Sequence, residues 1–277
     1  MARDIIKKML ECGVHFGHQT KKWNPKMKPF VFGKRRNIFI IDLEKTLEKL
    51  NEAKNFLSSV VAKGGSLLLV GTKKHARDIV AEEAARANVF YINNRWLGGT
   101  LTNFPTLRES IRKMKELEAL IFGEGNEFLK KKERSKFMRL YNKKLKNFAG
   151  IKDMEKLPDV LIIIDTEYEQ NAVREAKRLG IKTIGIVDTN CDPNDVDYPI
   201  PANDDALRSI RLILGELIDT VLESRSSVTT APVQEDEESG EEPADGKELA
   251  EKAKKLAEEV AVAADEIVTD EDIQGEE

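Results

Sequence analysis

Ser66-Leu67-Leu68-Leu69-Val70-Gly71-Thr72-Lys73-Lys74 runs from a continuous apolar stretch through a glycine into a helical pattern that reaches about Ala87. Four consecutive large apolar residues, rather than an alternation with polar ones, describe a strand buried on both faces, the signature of a parallel sheet. Working downstream, Val89–Ile92, Pro158–Asp165 and Thr183–Asp188 repeat that pattern, and Tyr198-Pro199-Ile200-Pro201 reads as a short edge strand because of its prolines. Helices fall between them: one from about Glu169 to Leu179 that stops at Gly180, and a last one from Asp204-Asp205 carrying Leu207, Ile210, Leu214, Leu217, Ile218 and Val221. Strand and helix in alternation, joined by right-handed crossovers, predict a doubly wound α/β domain. Upstream, Asp4 precedes a helix through Ile5, Ile6, Met9 and Leu10 that closes at Gly13. Ile38–Ile41 is a short buried strand, and Asp42 caps a long helix ending at Gly64-Gly65.

One interval breaks the rhythm. Val160 follows Ile92 by 68 positions, about twice what a βα unit needs. Leu107, Ile111, Met114, Leu117 and Ile121 recur at helical spacing, Gly123–Asn126 interrupts, and Leu129, Phe137, Leu140, Leu145 and Phe148 resume. The pattern predicts an inserted antiparallel helical hairpin with a coiled-coil seam. The expected organisation is an α/β sheet domain over residues 1–104 and 150–225, the hairpin over 105–149, and a tail over 226–277.

Charge is segregated along the chain. The formal net charge is −4, yet the stretch after Arg225 holds 18 acids against four lysines, leaving residues 1–225 with a balance of +10. A basic body raises the odds of a polyanionic partner. The acidic tail, poor in bulky apolar residues, is expected to be disordered apart from a helix-prone stretch at 247–264. Two cysteines, Cys12 and Cys191, make no disulfide framework, and no apolar run approaches the length of a bilayer span, so a cytoplasmic setting without membrane partners is expected.

Basic residues concentrate in two places. Val14–Asn37 interleaves Lys21, Lys22, Lys26, Lys28, Lys34, Arg35 and Arg36 with Phe16, Trp23, Phe30 and Phe32, the mixture that neutralises phosphates and stacks on bases; the plainer alternative is an exposed hairpin with its aromatics turned inward. The second hairpin arm, Leu129–Asn147, has nine cations, among them Lys130, Lys131 and Lys132, against one acid, Glu133. Two loops join them. Lys73 and Lys74 stand at a helix start after Gly71, an anion site, although the Walker spacing of glycines is absent. Tyr91–Pro105 (YINNRWLGGTLTNFP) holds Arg95, Trp96, Gly98-Gly99 and Asn103 and no acid, a set suited to phosphate and base contact or, alternatively, to a structural corner with Trp96 and Leu97 in the core. Cys12, His15 and His18 have metal-like spacing but lack a nearby fourth ligand, which favours packing or stacking.

The acids of the body point elsewhere. Asp165 and Asp188 end strands, where doubly wound sheets bind ligands, and Asp204 and Asp205 start the last helix. These four could hold a divalent cation, the one cofactor the residues suggest, or form a receiver-like or nucleotide-binding site. The Asp188-x-Asn190-x-Asp192 run fails as a calcium loop because Pro193 replaces its glycine. No nucleophile–base pair and no dinucleotide fingerprint occur, and no lysine is evidently placed to support phosphoryl chemistry. No catalysis is expected.

Val14-His15-Phe16-Gly17-His18, Trp23-Asn24-Pro25-Lys26-Met27, Arg95–Asn103 and Pro158-Asp159-Val160 leading to Glu167 together resemble the bacterial small-subunit ribosomal protein S2 family, over about residues 2–225. The resemblance implies a flavodoxin-like sheet with a protruding coiled coil and no catalytic activity. It also implies contacts with small-subunit rRNA and with other small-subunit ribosomal proteins, including help in recruiting the mRNA-binding ribosomal protein one. It implies no membrane partner and no small-molecule substrate. The tail lies outside it.

Overall fold

A computed structural model describes residues 2–123 and 131–228. It begins with helix α1 (Ala2–Cys12) and a three-stranded antiparallel sheet of β1 (Phe16–Gln19), β2 (Val31–Arg35) and β3 (Ile38–Ile41), in the order β1-β3-β2. The sequence showed only β3, and as a buried strand. It is half-buried instead, and its register with both neighbours is interrupted, which is why no clean alternation marks β1 or β2. Arg36 (φ 48°) and Asn37 (φ 62°) are both left-handed, the geometry of the two-residue turn whose twist suits a hairpin. The aromatics of the basic segment divide: the Trp23 and Phe39 ring centres are 4.7 Å apart, while Phe32 is 80% exposed.

Asp42 caps α2 (Leu43–Val61), its carboxylate accepting from the Glu44 N–H at 3.1 Å. The parallel sheet then forms from β4 (Leu67–Val70), β5 (Phe90–Ile92), β6 (Val160–Ile164), β7 (Lys182–Val187) and β8 (Tyr198–Pro201) in the order β5-β4-β6-β7-β8. The chain reverses its winding between β4 and β6, where a ligand crevice opens in such sheets. Helix α3 (Arg77–Ala87) links β4 to β5, α6 (Gln170–Leu179) links β6 to β7, and α7 (Leu207–Val228) follows β8. Left-handed Asn88 and Gly180 close α3 and α6. Helix α7 begins after Asp204-Asp205 because Asn203 takes the capping role, accepting from the Asp205 and Ala206 N–H groups.

One face of the sheet offers Leu67, Leu69, Val160, Ile162, Ile164, Ile184, Ile186 and Ile200 to a core shared with Met9 of α1, Leu50 and Leu57 of α2, Ile79 of α3 and Leu214 and Val221 of α7. The alternate residues Leu68, Leu161 and Ile163 are as deeply buried and face the opposite way. Helix α6 packs on β7 and buries Ala172, Val173 and Ala176. Both faces are therefore covered, as the continuous apolar runs require. Each fully buried Leu or Ile contributes about 1.5–3 kcal/mol.

Between β5 and β6 lie α4 (Phe104–Phe122) and α5 (Lys131–Phe148). Among the described residues, Arg112–Lys144 separates as a compact unit of its own. It buries Met114, Leu117, Ile121, Phe137 and Tyr141, with the Tyr141 hydroxyl 3.1 Å from Glu118 and the Phe122 and Tyr141 rings edge-on at 5.7 Å. The connection at 124–130, with Lys130, and the tail from 229 lie outside the described residues.

Candidate functional site

The reversal of winding brings together groups from five parts of the chain. Gly71-Thr72-Lys73 leaves β4, Asp165 ends β6, Asp188 follows β7, Asp204 and Asp205 precede α7, and His18 reaches in from β1. The Lys73 ammonium lies 3.0 Å from Asp165, 3.0 Å from Asp204 and 2.6 Å from Asp205. His18 Nδ1 is 3.0 Å from Asp188, and its Nε2 is 3.6 Å from Asp205. Asp165, Asp188 and Asp204 are buried, and one Asp204 oxygen, Oδ2, has no hydrogen-bond partner. Asp165 sits at φ 64°, a left-handed conformation uncommon for a non-glycine residue. Part of its role is local, since its Oδ1 accepts from the Glu167 and Tyr168 N–H groups where α6 begins.

Four carboxylates here face one ammonium and one imidazole, and the titrations reflect that excess. The hydrogen bond to Asp188 raises the His18 pKa, against burial and with help from the charges of Asp188, Asp204 and Asp205. Burial raises the Asp204 pKa, and the neighbouring charges of Asp165 and Asp188 add to the rise. Lys73 is raised as well: burial opposes its charge, but Asp205, Asp204 and Asp165 outweigh the opposition. Cys191, buried beside Asp165, is pushed up to about 12 by burial and is no thiolate at neutral pH.

This geometry revises several expectations. Lys73, expected on an open anion site with Lys74, is turned inward and held by aspartates, while Lys74 is exposed. No lysine is evident beside these acids in the sequence, and the same ion pairs place Lys73 there. His18, read by spacing with Cys12 and His15, joins Asp188 and Asp204, their ligand-type atoms all within 4.8 Å of one another. Asn190 hydrogen-bonds Glu167 and Asp192 pairs with Lys26, so the calcium-like run does not converge. Sequence reasoning also missed Glu169, a buried acid that accepts from the Thr72 N–H at 2.7 Å. Burial raises its pKa, more than its bonds to Thr72 lower it.

The basic segment docks beside this cluster. The Asn24 N–H donates to the Thr189 carbonyl at 2.8 Å and the His18 N–H to the Thr189 hydroxyl at 2.8 Å, so β1 and the turn after it lie against the loop following β7. Gly17 permits the approach, because a Cβ there would stand 2.6 Å from Thr189. Lys21, Lys22, Lys28, Lys34, Arg35 and Arg36 are all exposed, whereas Lys26 is committed to Asp192 and Trp23 is half-buried. Lys131 and Lys132 are exposed on α5. In the Arg112–Lys144 unit, burial and the charge of Lys113 push the Lys144 pKa down.

The Arg95–Asn103 loop has an organiser that its own residues do not announce. Glu175 of α6 accepts from the Trp96 indole N–H (3.0 Å) and the Gly99 N–H (2.9 Å) with one oxygen. The other accepts from the Leu101 N–H (2.9 Å), the Thr102 N–H (3.1 Å) and the Thr102 hydroxyl (3.2 Å). Trp96 is buried as expected, but Leu101 rather than Leu97 joins it, Leu97 being only half-buried, while Arg95, Gly98 and Asn103 are exposed. The loop is thus a corner built on a buried tryptophan and, at the same time, a stage for outward polar groups. Burial pushes the Glu175 pKa up, but the bonds from Thr102, Trp96, Leu101 and Gly99 outweigh it and the net shift is downward. A depressed carboxylate contributes stability above its unfolded pKa, about 4.3, and that contribution is lost as pH falls through the lower folded value. Urea melts of the wild type and of Glu175→Gln should therefore differ most near pH 6 and converge toward pH 3. A constant gap across that range would show that the carboxylate charge is not what the loop holds.

Known proteins account for most of this chain. Residues 9–224 match the family model for ribosomal protein S2. Small ribosomal subunit protein uS2 of Koribacter versatilis is 53% identical over 223 residues, 80% of this chain and 74% of that protein. The protein of the same name from Coprothermobacter proteolyticus is 51% identical over 225 residues, covering 81% and 84% of the two chains. That of Desulfatibacillum aliphaticivorans is 52% identical over 225 residues, covering 81% and 76%. With the family model and these relatives spanning the sheet, the aspartate cluster and the Glu175-bound loop alike, the chain belongs to the ribosomal protein S2 family, among ribosomal proteins of the small subunit and not among enzymes.

Proposed function

We propose that the protein is a non-catalytic scaffold of the small ribosomal subunit in the cytoplasm. It binds small-subunit rRNA and adjoining ribosomal proteins, and helps recruit ribosomal protein one. The observation that carries the RNA contact is the exposed set Lys21, Lys22, Lys28, Lys34, Arg35 and Arg36 on β2 and the turns beside the N-terminal sheet, within residues 1–225, which carry the cationic balance. Arg95 and Asn103, Lys74, and Lys131 and Lys132 extend the set. The Arg112–Lys144 unit acts as a coiled-coil arm, and the stretch after Arg225, with its 18 acids against four lysines, takes no part in the RNA contact. Replacing Lys34, Arg35 and Arg36 together by glutamine should reduce affinity for small-subunit rRNA and flatten the log-log salt dependence by about 0.7–0.9 for each phosphate no longer neutralised. Affinity that is independent of salt in the unmodified protein would overturn the reading.

A second reading concerns the aspartates. The unpartnered Asp204 Oδ2, with His18 Nδ1 and Asp188 close by, supports a divalent cation held by His18, Asp188 and Asp204, with Asp165 and Asp205 alongside and Lys73 displaced outward. Mixed imidazole and carboxylate donors suit zinc or a similar ion. No cofactor is required for the scaffold role. Calorimetric titration of chelator-treated protein with Zn²⁺ should show one saturable site that His18→Ala abolishes. A receiver-like or nucleotide-binding role for Asp165 and Asp188 is the rival use of the same acids, and a stable phosphoryl adduct after treatment with a small phosphodonor would favour it.

A further inference from the structure

We infer that Glu175, half-buried on the inner side of the Arg95–Asn103 loop, is the positioning residue that sets Arg95 to meet an rRNA phosphate. The inference rests on the proposed RNA contact of that loop and adds how the contact is made. Three backbone N–H groups in a glycine-containing turn would ordinarily form a nest for a ligand anion. Here Gly99, Leu101 and Thr102 already direct theirs to the two Glu175 oxygens, and the Thr100 and Asn103 N–H groups go to the Leu97 and Gly99 carbonyls. The protein has supplied the loop's anion itself. What remains for an incoming polyanion is the side chains that point away, the Arg95 guanidinium and the Asn103 amide, and the open backbone at Gly98, where an added Cβ would meet nothing within 4 Å.

Two further contacts hold the stem from which Arg95 projects. Arg77 donates to the Asn94 carbonyl at 3.2 Å, and the Asn94 amide donates to Asn147 at 2.6 Å. Arg95 is therefore fixed on both sides, by Asn94 before it and by Trp96 after it, whose indole N–H ends on Glu175. A guanidinium whose flanking residues are immobilised loses less freedom when it grips a phosphate than one on a loose loop. The ligand class that follows is a phosphodiester met by one cation and one amide, rather than a free nucleotide in a phosphate nest.

The test is a double-mutant cycle on the full chain, with small ribosomal subunits lacking this protein as the binding probe. Arg95→Gln should weaken binding about tenfold and flatten the salt slope by about 0.7–0.9. Glu175→Ala should reproduce both effects, and in the Arg95→Gln background it should add less than about twofold, because the two act through one contact. Hydrogen exchange at Gly99, Leu101 and Thr102 reports separately whether the loop has opened. If Glu175→Ala does not fold, Glu175→Gln, which keeps one carbonyl acceptor, takes its place with a smaller effect of the same kind. Binding unchanged by Glu175 substitution while those amides exchange freely would overturn the inference and leave the RNA contact standing, as would full additivity. Binding unchanged by Arg95→Gln would overturn both.

Discussion

Lys73→Met should destabilise the protein by about 3–5 kcal/mol in the presence of a chelator, the largest single loss expected outside the apolar core. Among the described residues, its ammonium is the only lysine charge paired with Asp165, Asp204 and Asp205, and Asp204 is fully buried. Methionine matches much of the side chain's length but leaves like charges facing one another around the buried Asp165 and Asp204, with the imidazole of His18 and, at Asp205, that of His75 left to offset them. Denaturant melts of the two proteins measure the difference. Addition of Zn²⁺ should restore much of the loss in Lys73→Met and raise the wild type less, since the ion would replace a charge the variant no longer has. Equal stability of the two proteins under chelation would mean that the acids are neutralised by some other route.

Trp96→Ala should cost about 3–5 kcal/mol, and Trp96→Phe appreciably less. Alanine removes a buried ring and the indole donor together. Phenylalanine keeps most of the apolar contact and removes only the bond to a charged acceptor, an interaction worth about 1.5–3 kcal/mol, with Glu175 retaining its other donors. Thermal melts of both variants separate ring packing from the clasp. Should phenylalanine prove as damaging as alanine, the loop would owe its shape to the hydrogen bond and little to burial.

The parallel sheet could be read from the chain because Leu67–Val70 and Val160–Ile164 are apolar at every position, and only a strand covered on both faces needs that. Capping by Asp42 and the stop at Gly180 were readable for the same reason, each being a local interaction encoded within a few residues. The N-terminal sheet was not, since β1 and β2 are short, break register, and keep Phe32 in solvent. The cluster was half legible. Asp165 and Asp188 announced themselves at strand ends, whereas His18 and Lys73 join them across 170 and 92 positions of chain, a distance that no local pattern reports. Glu175 stands in an ordinary helical sequence on α6, and nothing in that sequence marks it as the acceptor for a loop more than 70 residues earlier.

The order of the strands has a consequence for synthesis. β4 forms the centre of the sheet with β6, a pairing that joins positions 93 apart at its edge, from Ser66 to Asp159. At about 5–20 residues per second, roughly 5–20 s separate the emergence of those partners. During that interval β4 has only β5 beside it, two short strands whose apolar faces α7 has not yet covered. The helices of the intervening segment are complete before β6 arrives, and they close on local contacts that need nothing downstream. The nascent protein therefore spends its most vulnerable seconds with Leu67–Val70 exposed on one edge, and a pause in translation before Val160 should increase its capture by holdase chaperones, while a pause after Val228 should not.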